Sequence, residues 1–187
     1  MLIKREIQID MGHSLSQYNG PCFSYHGHRC RILCSFEGSA SLGRGYSLGM
    51  IEDFSYLKQV MMKEIHEVLD HGWAIWKGDT EEIDITNCCT VKTTSKSLVE
   101  YVGVSSLDFI KARNKKVLVT DDPPTAETLA KYFGEKVRMA ILDRPFYLHS
   151  LEWWETPNNC AVYFPGEERE SFNDDLSLKE KMSEKGY

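Results

Sequence analysis

The spacing of apolar residues divides the first part of the chain into two strands and a helix. Apolar and polar side chains alternate from Leu2 to Asp10 and again from His28 to Phe36, which predicts two strands of a half-buried sheet. From Asp53 the apolar residues recur every three or four positions instead. This period predicts a helix that begins at Asp53 and ends at Gly72.

A second helix and two more strands are predicted towards the end of the chain. Apolar residues at helical spacing follow Pro123-Pro124-Thr125, a typical start for a helix. The stretches Phe146–Glu152 and Cys160–Phe164 predict the closing strands. Strands that pair with near neighbours in sequence, together with only two main helices, favour an α+β fold with an antiparallel sheet.

The stretch between the two helices is less regular. It contains a predicted helix at Ser97–Ala112 and a predicted short strand at Lys116–Val119, and we interpret residues 74–121 as an elaboration of the domain. Because 187 residues are enough for one substantial core, we expect a single domain over residues 1–165. The charged residues 166–187 have little to bury and predict a solvated tail.

Charge and composition exclude several classes of partner. The formal net charge is -6 and no run of Lys and Arg appears, which argues against binding to nucleic acid. No apolar run is long enough to span a bilayer, and the N-terminus does not look like a signal peptide. Six cysteines without a secretory signal fit free thiols in a reducing cytosol, so we expect a cytoplasmic protein.

Two histidines separated by one glycine are the most informative feature for function. On a strand, residues i and i+2 share a face, so His26 and His28 point the same way and Gly27 does not crowd them. The nearest histidine upstream is His13. Since three neutral imidazoles with an open fourth position usually hold a catalytic zinc, these three histidines are candidate metal ligands.

The other histidines and the nearby thiols have less specific interpretations. A lone histidine is more often a hydrogen-bonded structural residue than a ligand, and we interpret His66 and His149 in this way. Cys30 and Cys34 are a competing thiolate pair for a structural zinc, but their alternation with apolar residues favours packing in the core. Spacing alone does not decide between zinc and a structural role for the three candidate ligands.

Three further residues are candidates for acid–base chemistry. Cys22 precedes the histidine pair, where a zinc ion and imidazoles would lower its pKa and favour a thiolate; the alternative is a structural cysteine in a turn. Asp70 and His71 follow the first helix as a capping pair or as a dyad in which the carboxylate orients the imidazole for proton transfer. The sequence alone leaves both alternatives open.

Six short motifs follow one another over nearly the whole chain. They are His13; Cys22-x-x-x-His26-Gly27-His28; Gly49-Met50-Ile51-Glu52-Asp53-Phe54; Leu69-Asp70-His71; Pro124-Thr125-Ala126-Glu127; and Glu155-Thr156 before Tyr163. Any one of them is weak, but the ordered set is specific. The set resembles the 6-pyruvoyltetrahydropterin synthase / 6-carboxytetrahydropterin synthase family.

The resemblance implies a fold and an assembly. Members of this family adopt the tunnelling fold, an antiparallel four-stranded sheet with two helices on one face. Their subunits join sheets into a β-barrel, typically as trimers that stack into hexamers, with active sites at the subunit interfaces. The resemblance therefore implies a homo-oligomer, a trimer or a hexamer.

The resemblance also implies roles for individual residues. By resemblance, the ligands of Zn²⁺ are His13, His26 and His28. Cys22 is then the catalytic thiol, Asp70 and His71 assist proton transfer, and Glu155 anchors the pterin and is tied to the catalytic relay. The residues implied to line the pterin pocket are Thr125, Glu127 and Glu155.

The implied activity is the conversion of 7,8-dihydroneopterin triphosphate by a zinc-dependent lyase. One branch of the family eliminates triphosphate to give 6-pyruvoyltetrahydropterin, and the other also cleaves the side chain to 6-carboxytetrahydropterin and acetaldehyde on the way to 7-deazapurines such as queuosine. The short Cys22-x-x-x-His26 gap resembles the carboxy branch, whereas residues 155–159 resemble the ending of the pyruvoyl branch. The shorter gap favours the carboxy product.

The sequence departs from the family pattern in two places, and two alternative functions remain open. Met11 and Gly12 precede His13 where the family usually has small residues, and residues 74–121 are longer than in compact members, which would affect substrate access or assembly. A zinc-containing pterin-binding module without catalysis is one alternative, although the presence of Cys22, Asp70, His71 and Glu155 together argues against it. A structural zinc protein is the other, and it predicts a closed site with four ligands.

Overall fold

The computed structural model describes residues 1–41, 48–79, 91–95, 98–102 and 116–166, and one sheet of eight strands runs through them. The strands are β1 Leu2–His13, β2 His26–Gly38, β3 Gly72–Trp76, β4 Val91–Ser95, β5 Leu98–Val102, β6 Lys116–Thr120, β7 Phe146–Thr156 and β8 Asn159–Tyr163. Their order across the sheet is β4-β5-β6-β3-β1-β2-β7-β8. In the described part of the chain, no helix is both long and apolar enough to cross a bilayer.

The half of the sheet that carries the candidate ligands is antiparallel. β1 pairs with β2 along its whole length, from Leu2 opposite Glu37 to His13 opposite His26. β7 continues the sheet beside β2, and β8 follows beside β7. The predicted alternating strands of this half are therefore confirmed, and β1, β2 and β7 are each longer than their patterns indicated.

Two helical runs lie on one face of this sheet. The first begins with α1 Phe54–Met61, continues through a π-helical turn at Met62–His66 and ends with α2 Glu67–Leu69. Asp53 caps α1 as predicted, because its side chain accepts a hydrogen bond from the Ser55 N–H at 2.7 Å. The second, α3 Ala126–Ala140, confirms the predicted second helix.

The core lies between these helices and the alternate residues of β1, β2 and β7 that face them. The core residues with no exposed surface include Cys30, Ile32, Cys34, Phe36, Leu57, Met61, Ile65, Leu69, Leu129, Phe133, Val137, Leu151 and Trp153. The Phe133 and Trp153 rings stack with their centroids 5.4 Å apart and join α3 to β7. Burial raises the pKa of Cys30 to about 12, as expected for a thiol that packs in the core.

The structure corrects the predicted sheet. An antiparallel sheet of four strands is wrong for the sheet as a whole, because β3 pairs parallel with both β1 and β6 and the sheet is mixed. The reason is that Gly72–Trp76 is a short, continuous apolar run, which is typical of parallel strands and lacks the period of two. The alternation of apolar and polar residues, which predicted the antiparallel strands, therefore could not predict β3.

The predicted helix at Ser97–Ala112 is also wrong where the structure describes it. Leu98–Val102 forms β5, which pairs antiparallel with β6, and residues 103–112 lie outside the described residues. The predicted strand at Lys116–Val119 is confirmed as β6. The predicted tail lies outside the described residues except for its first residue, and the domain limits stay predictions.

Candidate active site

Three histidines meet at the ends of β1 and β2, on the face that the helices cover. His13 is paired directly with His26, and His28 follows two residues later on the same face of β2. One ring nitrogen of each histidine lies within 4.8 Å of one ring nitrogen of both others. His13 is the most enclosed of the three, with 2% of its side chain exposed. The structure thus brings the three predicted ligands together.

Two backbone carbonyls fix the orientation of two of these rings. The Nδ1–H of His13 donates to the Pro124 carbonyl at 2.6 Å, and the Nδ1–H of His26 donates to the Ser24 carbonyl at 2.8 Å. Because a carbonyl oxygen only accepts, the proton of each neutral imidazole is placed on Nδ1. The lone pair on Nε2 of each ring is then left for another partner.

The two Nε2 atoms face one another at 3.1 Å. Two such lone pairs repel at this distance, and a cation bound by both nitrogens would remove this repulsion. Tetrahedral zinc with bonds of about 2.05 Å places its nitrogen ligands about 3.3 Å apart, close to the separation seen here. The donor set therefore fits a metal ion held by His13, His26 and His28.

Burial keeps two of these imidazoles, those of His13 and His28, in the form that binds metal. Burial, aided by the charges of His26 and His28, lowers the pKa of His13 to about 4 although the Pro124 carbonyl acts in the opposite direction. Burial, with a smaller contribution from His26, also lowers the pKa of His28. Neutral imidazole is the ligand form, because the lone pair is then free.

A partly buried carboxylate, whose Oε1 atom is enclosed, lies beside the histidines. Glu155, near the end of β7, has its Oε1 atom 3.9 Å from Nε2 of His13. Among the described residues this Oε1 has no hydrogen-bond partner. Burial raises the pKa of Glu155, and the charge of Glu127 raises it further, whereas His26 lowers it. A buried acceptor without a partner is costly, and one in a candidate site points to a missing ligand.

The start of α3 contributes to the same region. Thr125 is its N-cap and accepts a hydrogen bond from the Thr128 N–H at 3.4 Å. Glu127 follows in the first turn, close enough for its charge to act on Glu155. Since Pro124 holds His13, the predicted pocket residues lie on the segment that orients a candidate ligand.

Cys22 lies in a separate loop and is half-buried. It is the middle residue of a 3-10 turn, Pro21–Phe23, and its carbonyl accepts a hydrogen bond from the Leu15 N–H at 2.8 Å. Its sulfur is not part of the cluster of ring nitrogens, which in the described residues contains the three histidines only. The chain runs from Cys22 to Ser24, whose carbonyl holds His26.

Asp70 and His71 form a second constellation. The Nδ1–H of His71 donates to Oδ2 of Asp70 at 2.8 Å, so the dyad is present. His71 has φ 56°, a left-handed conformation that histidine adopts more readily than most residues, and its N–H donates to the Asp10 carbonyl at 2.6 Å. No hydrogen bond or ion pair that the described residues make connects this dyad to the three histidines. Asp10 lies three residues before His13 on β1.

The residue before His13 explains one departure from the resemblance. A Cβ atom on Gly12 would overlap the ring of Trp73, which pairs opposite Gly12 on β3. The small residue is therefore required by the parallel strand, whose ring takes the space of a side chain. Trp73 also packs against the ring of Tyr25, with the centroids 5.5 Å apart.

The family of the chain can be decided from its sequence as a whole. Residues 2–166 match the model of the family described as 6-pyruvoyl tetrahydropterin synthase. The chain belongs to this family. The recognition made from the ordered motifs is confirmed, and so is the expectation of an enzyme, since this is a family of synthases.

Relatives of the 6-pyruvoyl tetrahydropterin synthase family align along most of the chain. A protein of Rickettsia conorii named 6-carboxy-5,6,7,8-tetrahydropterin synthase is 26% identical over 159 residues, which cover 84% of this chain and 95% of that protein. A protein of the same name from Haemophilus influenzae is 24% identical over 161 residues, covering 86% and 96%.

Solved structures share the fold. An uncharacterized protein of Wolinella succinogenes has a TM-score of 0.68 at 22% identity and covers 88% of this chain and 98% of its own. The 6-pyruvoyl tetrahydropterin synthase of Caenorhabditis elegans has a TM-score of 0.56 at 19% identity, with 89% and 96% covered. At these identities the likeness shows the fold alone.

Sequence reasoning missed the groups that orient the site. The carbonyls of Ser24 and Pro124 carry no side-chain signal, although proline, which cannot donate, leaves its carbonyl as its only hydrogen-bonding group. In the sequence, Asp10 occupies an ordinary polar position of a strand. Nothing there indicates that its backbone N–H donates to Oδ1 of Asp70 at 3.0 Å. The sequence predicts a structural role for His66, and its Nε2 atom lies 3.3 Å from Oδ2 of Asp70, a contact compatible with that role.

Proposed function

We propose that this protein is a zinc-dependent 6-carboxytetrahydropterin synthase. It would convert 7,8-dihydroneopterin triphosphate to 6-carboxy-5,6,7,8-tetrahydropterin, acetaldehyde and triphosphate. The observation that carries the proposal is the pair of facing Nε2 atoms at 3.1 Å, each on a ring whose Nδ1–H is bound to a carbonyl. The relatives named for this activity and the short Cys22-x-x-x-His26 gap support the carboxy product over the pyruvoyl product.

The metal would be held by His13, His26 and His28, with an open position for the substrate. When bound there, zinc would acidify the hydroxyls of the substrate side chain and stabilise negative charge that develops on their oxygens. The Pro124 and Ser24 carbonyls support this assignment, because they fix the tautomers of two ligands before any ion arrives.

Glu155 would anchor the pterin ring. The amino group and ring N–H of a pterin form a pair of donors, and a carboxylate can accept both of them at once. The Oε1 atom without a partner and its 3.9 Å separation from His13 support this role, since a ligand held there would lie next to the metal. Thr125 and Glu127 would line the same pocket from the start of α3.

Cys22 and the dyad of Asp70 and His71 would exchange protons with the substrate. His71 is suited to this because 77% of its side chain is exposed while Asp70, with 13% exposed, holds its Nδ1–H. Cys22 would act as the second acid–base group, on the loop that leads to His26. Because the dyad has no described contact with the histidine cluster in one chain, the complete site would need residues of two subunits.

A homo-oligomer, trimer or hexamer, follows from this proposal. Among the strands that the structure describes, β1 pairs with β3 only at Met11–His13, which leaves most of its outer edge open to another chain. Light scattering across a dilution series measures the assembly directly. A stable monomer that keeps full activity would contradict a site shared between subunits.

One assay tests the proposed reaction. The purified protein with one equivalent of zinc is incubated with 7,8-dihydroneopterin triphosphate, and acetaldehyde, triphosphate and the pterin product are measured separately. All three should appear in equal amounts, and a His149→Ala variant, which changes a histidine far from the cluster, should match the wild type. Triphosphate without acetaldehyde would instead assign the pyruvoyl reaction, and neither product would refute catalysis on this substrate. A role in queuosine or other 7-deazaguanine formation would follow from the carboxy product.

A further inference from the structure

The Asp70 carboxylate is bound from three sides. Its Oδ2 atom accepts the Nδ1–H of His71 at 2.8 Å and lies 3.3 Å from Nε2 of His66, while its Oδ1 atom accepts the backbone N–H of Asp10 at 3.0 Å. Lys116 donates to the backbone carbonyl of Asp70, at 3.0 Å, and so leaves the carboxylate to these three donors. Two histidines therefore lie beside one carboxylate oxygen: His71 donates a hydrogen bond to it, and His66 makes an ion-pair contact with it.

The helix geometry brings His66 to this position. His66 is the last residue of the π-helical turn Met62–His66, and Asp70 follows four residues later, after the helix has ended. A π-helical turn rotates the residues that follow it relative to a regular α-helix, and such turns are frequent at functional sites. The Asp70 N–H donates to the His66 carbonyl at 2.9 Å, which fixes the two residues relative to one another.

We propose that His66 is a positioning residue that holds the Asp70 carboxylate in the orientation in which it binds His71. The inference rests on the proposed function, in which His71 exchanges protons with the substrate. The contact that carries the inference is the 3.3 Å separation between Nε2 of His66 and Oδ2 of Asp70.

A positioning residue such as His66 is needed because the His71 side chain is largely exposed. This side chain is 77% exposed, so few neighbours other than Asp70 restrain the ring. The last torsion of an aspartate is broad and roughly two-fold, and a carboxylate held at Oδ1 alone can turn its other oxygen away from His71. The contact of His66 with Oδ2 restricts this rotation independently of the His71 ring.

The protonation of Asp70 is consistent with this role. Burial alone would raise its pKa, but the hydrogen bonds from Asp10 and His71, with the charges of His66 and His71, together hold the pKa of Asp70 below its usual value. The carboxylate is thus ionised at neutral pH and accepts from all its donors. The Asp10 carboxylate, on the residue whose N–H binds Oδ1, is itself bound by Arg29 at 2.9 and 3.0 Å, and Lys116 contacts the Asp70 carbonyl.

Three variants of His66 separate positioning from packing. His66→Ala and His66→Leu both remove the donor, and leucine keeps most of the side-chain volume. His66→Gln keeps a donor, because its amide nitrogen is as many bonds from Cβ as Nε2 is. We expect kcat to fall roughly fivefold to twentyfold in the Ala and Leu variants, with KM within about twofold of the wild type, and to recover in the Gln variant. His149→Ala is the matched control.

A second readout does not depend on turnover. The Nδ1–H proton of His71 should give a hydrogen-bonded imidazole resonance in the wild type and the Gln variant, and this resonance should broaden or vanish in the Ala and Leu variants. An unchanged resonance and unchanged kcat in His66→Leu would overturn the inference, and so would a Gln variant as slow as the Leu variant. A wild type with no turnover of 7,8-dihydroneopterin triphosphate would refute the proposed function, while the resonance would still decide the role of His66.

Discussion

Replacing Glu155 by glutamine should stabilise the metal-free protein. Its side chain is partly buried, its enclosed Oε1 atom has no hydrogen-bond partner among the described residues, and burial together with Glu127 raises its pKa. The pKa of Glu155 is higher in the folded state than in the unfolded chain, so the folded protein binds the carboxyl proton more tightly. The free energy of unfolding therefore falls as the pH rises from the unfolded pKa through the folded pKa. Glutamine carries no charge, and we expect a gain of about 1 kcal/mol at neutral pH and none at about pH 3.

The same change should weaken the binding of the pterin. A carboxylate accepts two hydrogen bonds from a donor pair, whereas the amide of glutamine places one donor against a donor. Hydrogen bonds to charged groups contribute about 1.5–3 kcal/mol each. Loss of one of them, about 2 kcal/mol, raises the Kd roughly 30-fold.

Two measurements on one variant test both effects. Urea unfolding of metal-free Glu155→Gln and wild type at the two pH values gives the stability, and fluorescence titration with 7,8-dihydroneopterin gives the affinity of the zinc-loaded forms. Glu152→Gln is the matched control, since Glu152 lies on the opposite face of β7 and accepts a hydrogen bond from Trp154 at 3.0 Å. Unchanged pterin affinity in Glu155→Gln, or a loss of stability equal to that of the control, would refute the reasoning.

Three further substitutions probe the metal, the thiol and the strand that precedes His13. The double variant His26→Ala, His28→Ala should retain little zinc and no turnover; full zinc content by metal analysis would contradict the ligand assignment. Cys22→Ala should keep its zinc and lose turnover about a hundredfold or more, as expected when a positioned acid–base group is removed, and wild-type rates would make Cys22 a structural thiol. Gly12→Ala should lower the free energy of unfolding by about 1–3 kcal/mol, because its Cβ overlaps the Trp73 ring. Adding Trp73→Leu to Gly12→Ala should recover part of that loss, as measured by thermal unfolding. If Gly12→Ala alone is as stable as the wild type, the Trp73 ring moves aside and the prediction is wrong.

The sequence predicted those parts of the fold that carry their own periodicity. β1 and β2 alternate, α1 and α3 show a helical period, and the i, i+2 spacing of His26 and His28 placed both rings on one face. β3 was missed because five apolar residues in succession have no period, and its partners β1 and β6 are set by contacts distant in sequence.

The sequence predicted only those parts of the site that are formed by chemically distinctive side chains. The three candidate ligands and the dyad were found, because imidazoles and carboxylates at specific spacings are rare. The carbonyls of Ser24 and Pro124 and the N–H of Asp10 were not, because every residue has such groups and only the fold selects among them. The position of His66 depends on one π-helical turn, which no residue in that turn signals.

The pairing of β3 with β6 has a consequence for how this protein can be shortened or exchanged with its relatives. β3 begins directly after His71, and β6 ends four residues before Pro124, so residues 77–115 leave from one half of the candidate site and return to the other. Because the two strands are parallel, Trp76 and Lys116 lie at opposite ends of the pair, about 13 Å apart at about 3.3 Å per residue. A tight turn cannot join them. A deletion that is meant to keep the site must therefore retain both strands and bridge them with a crossover segment.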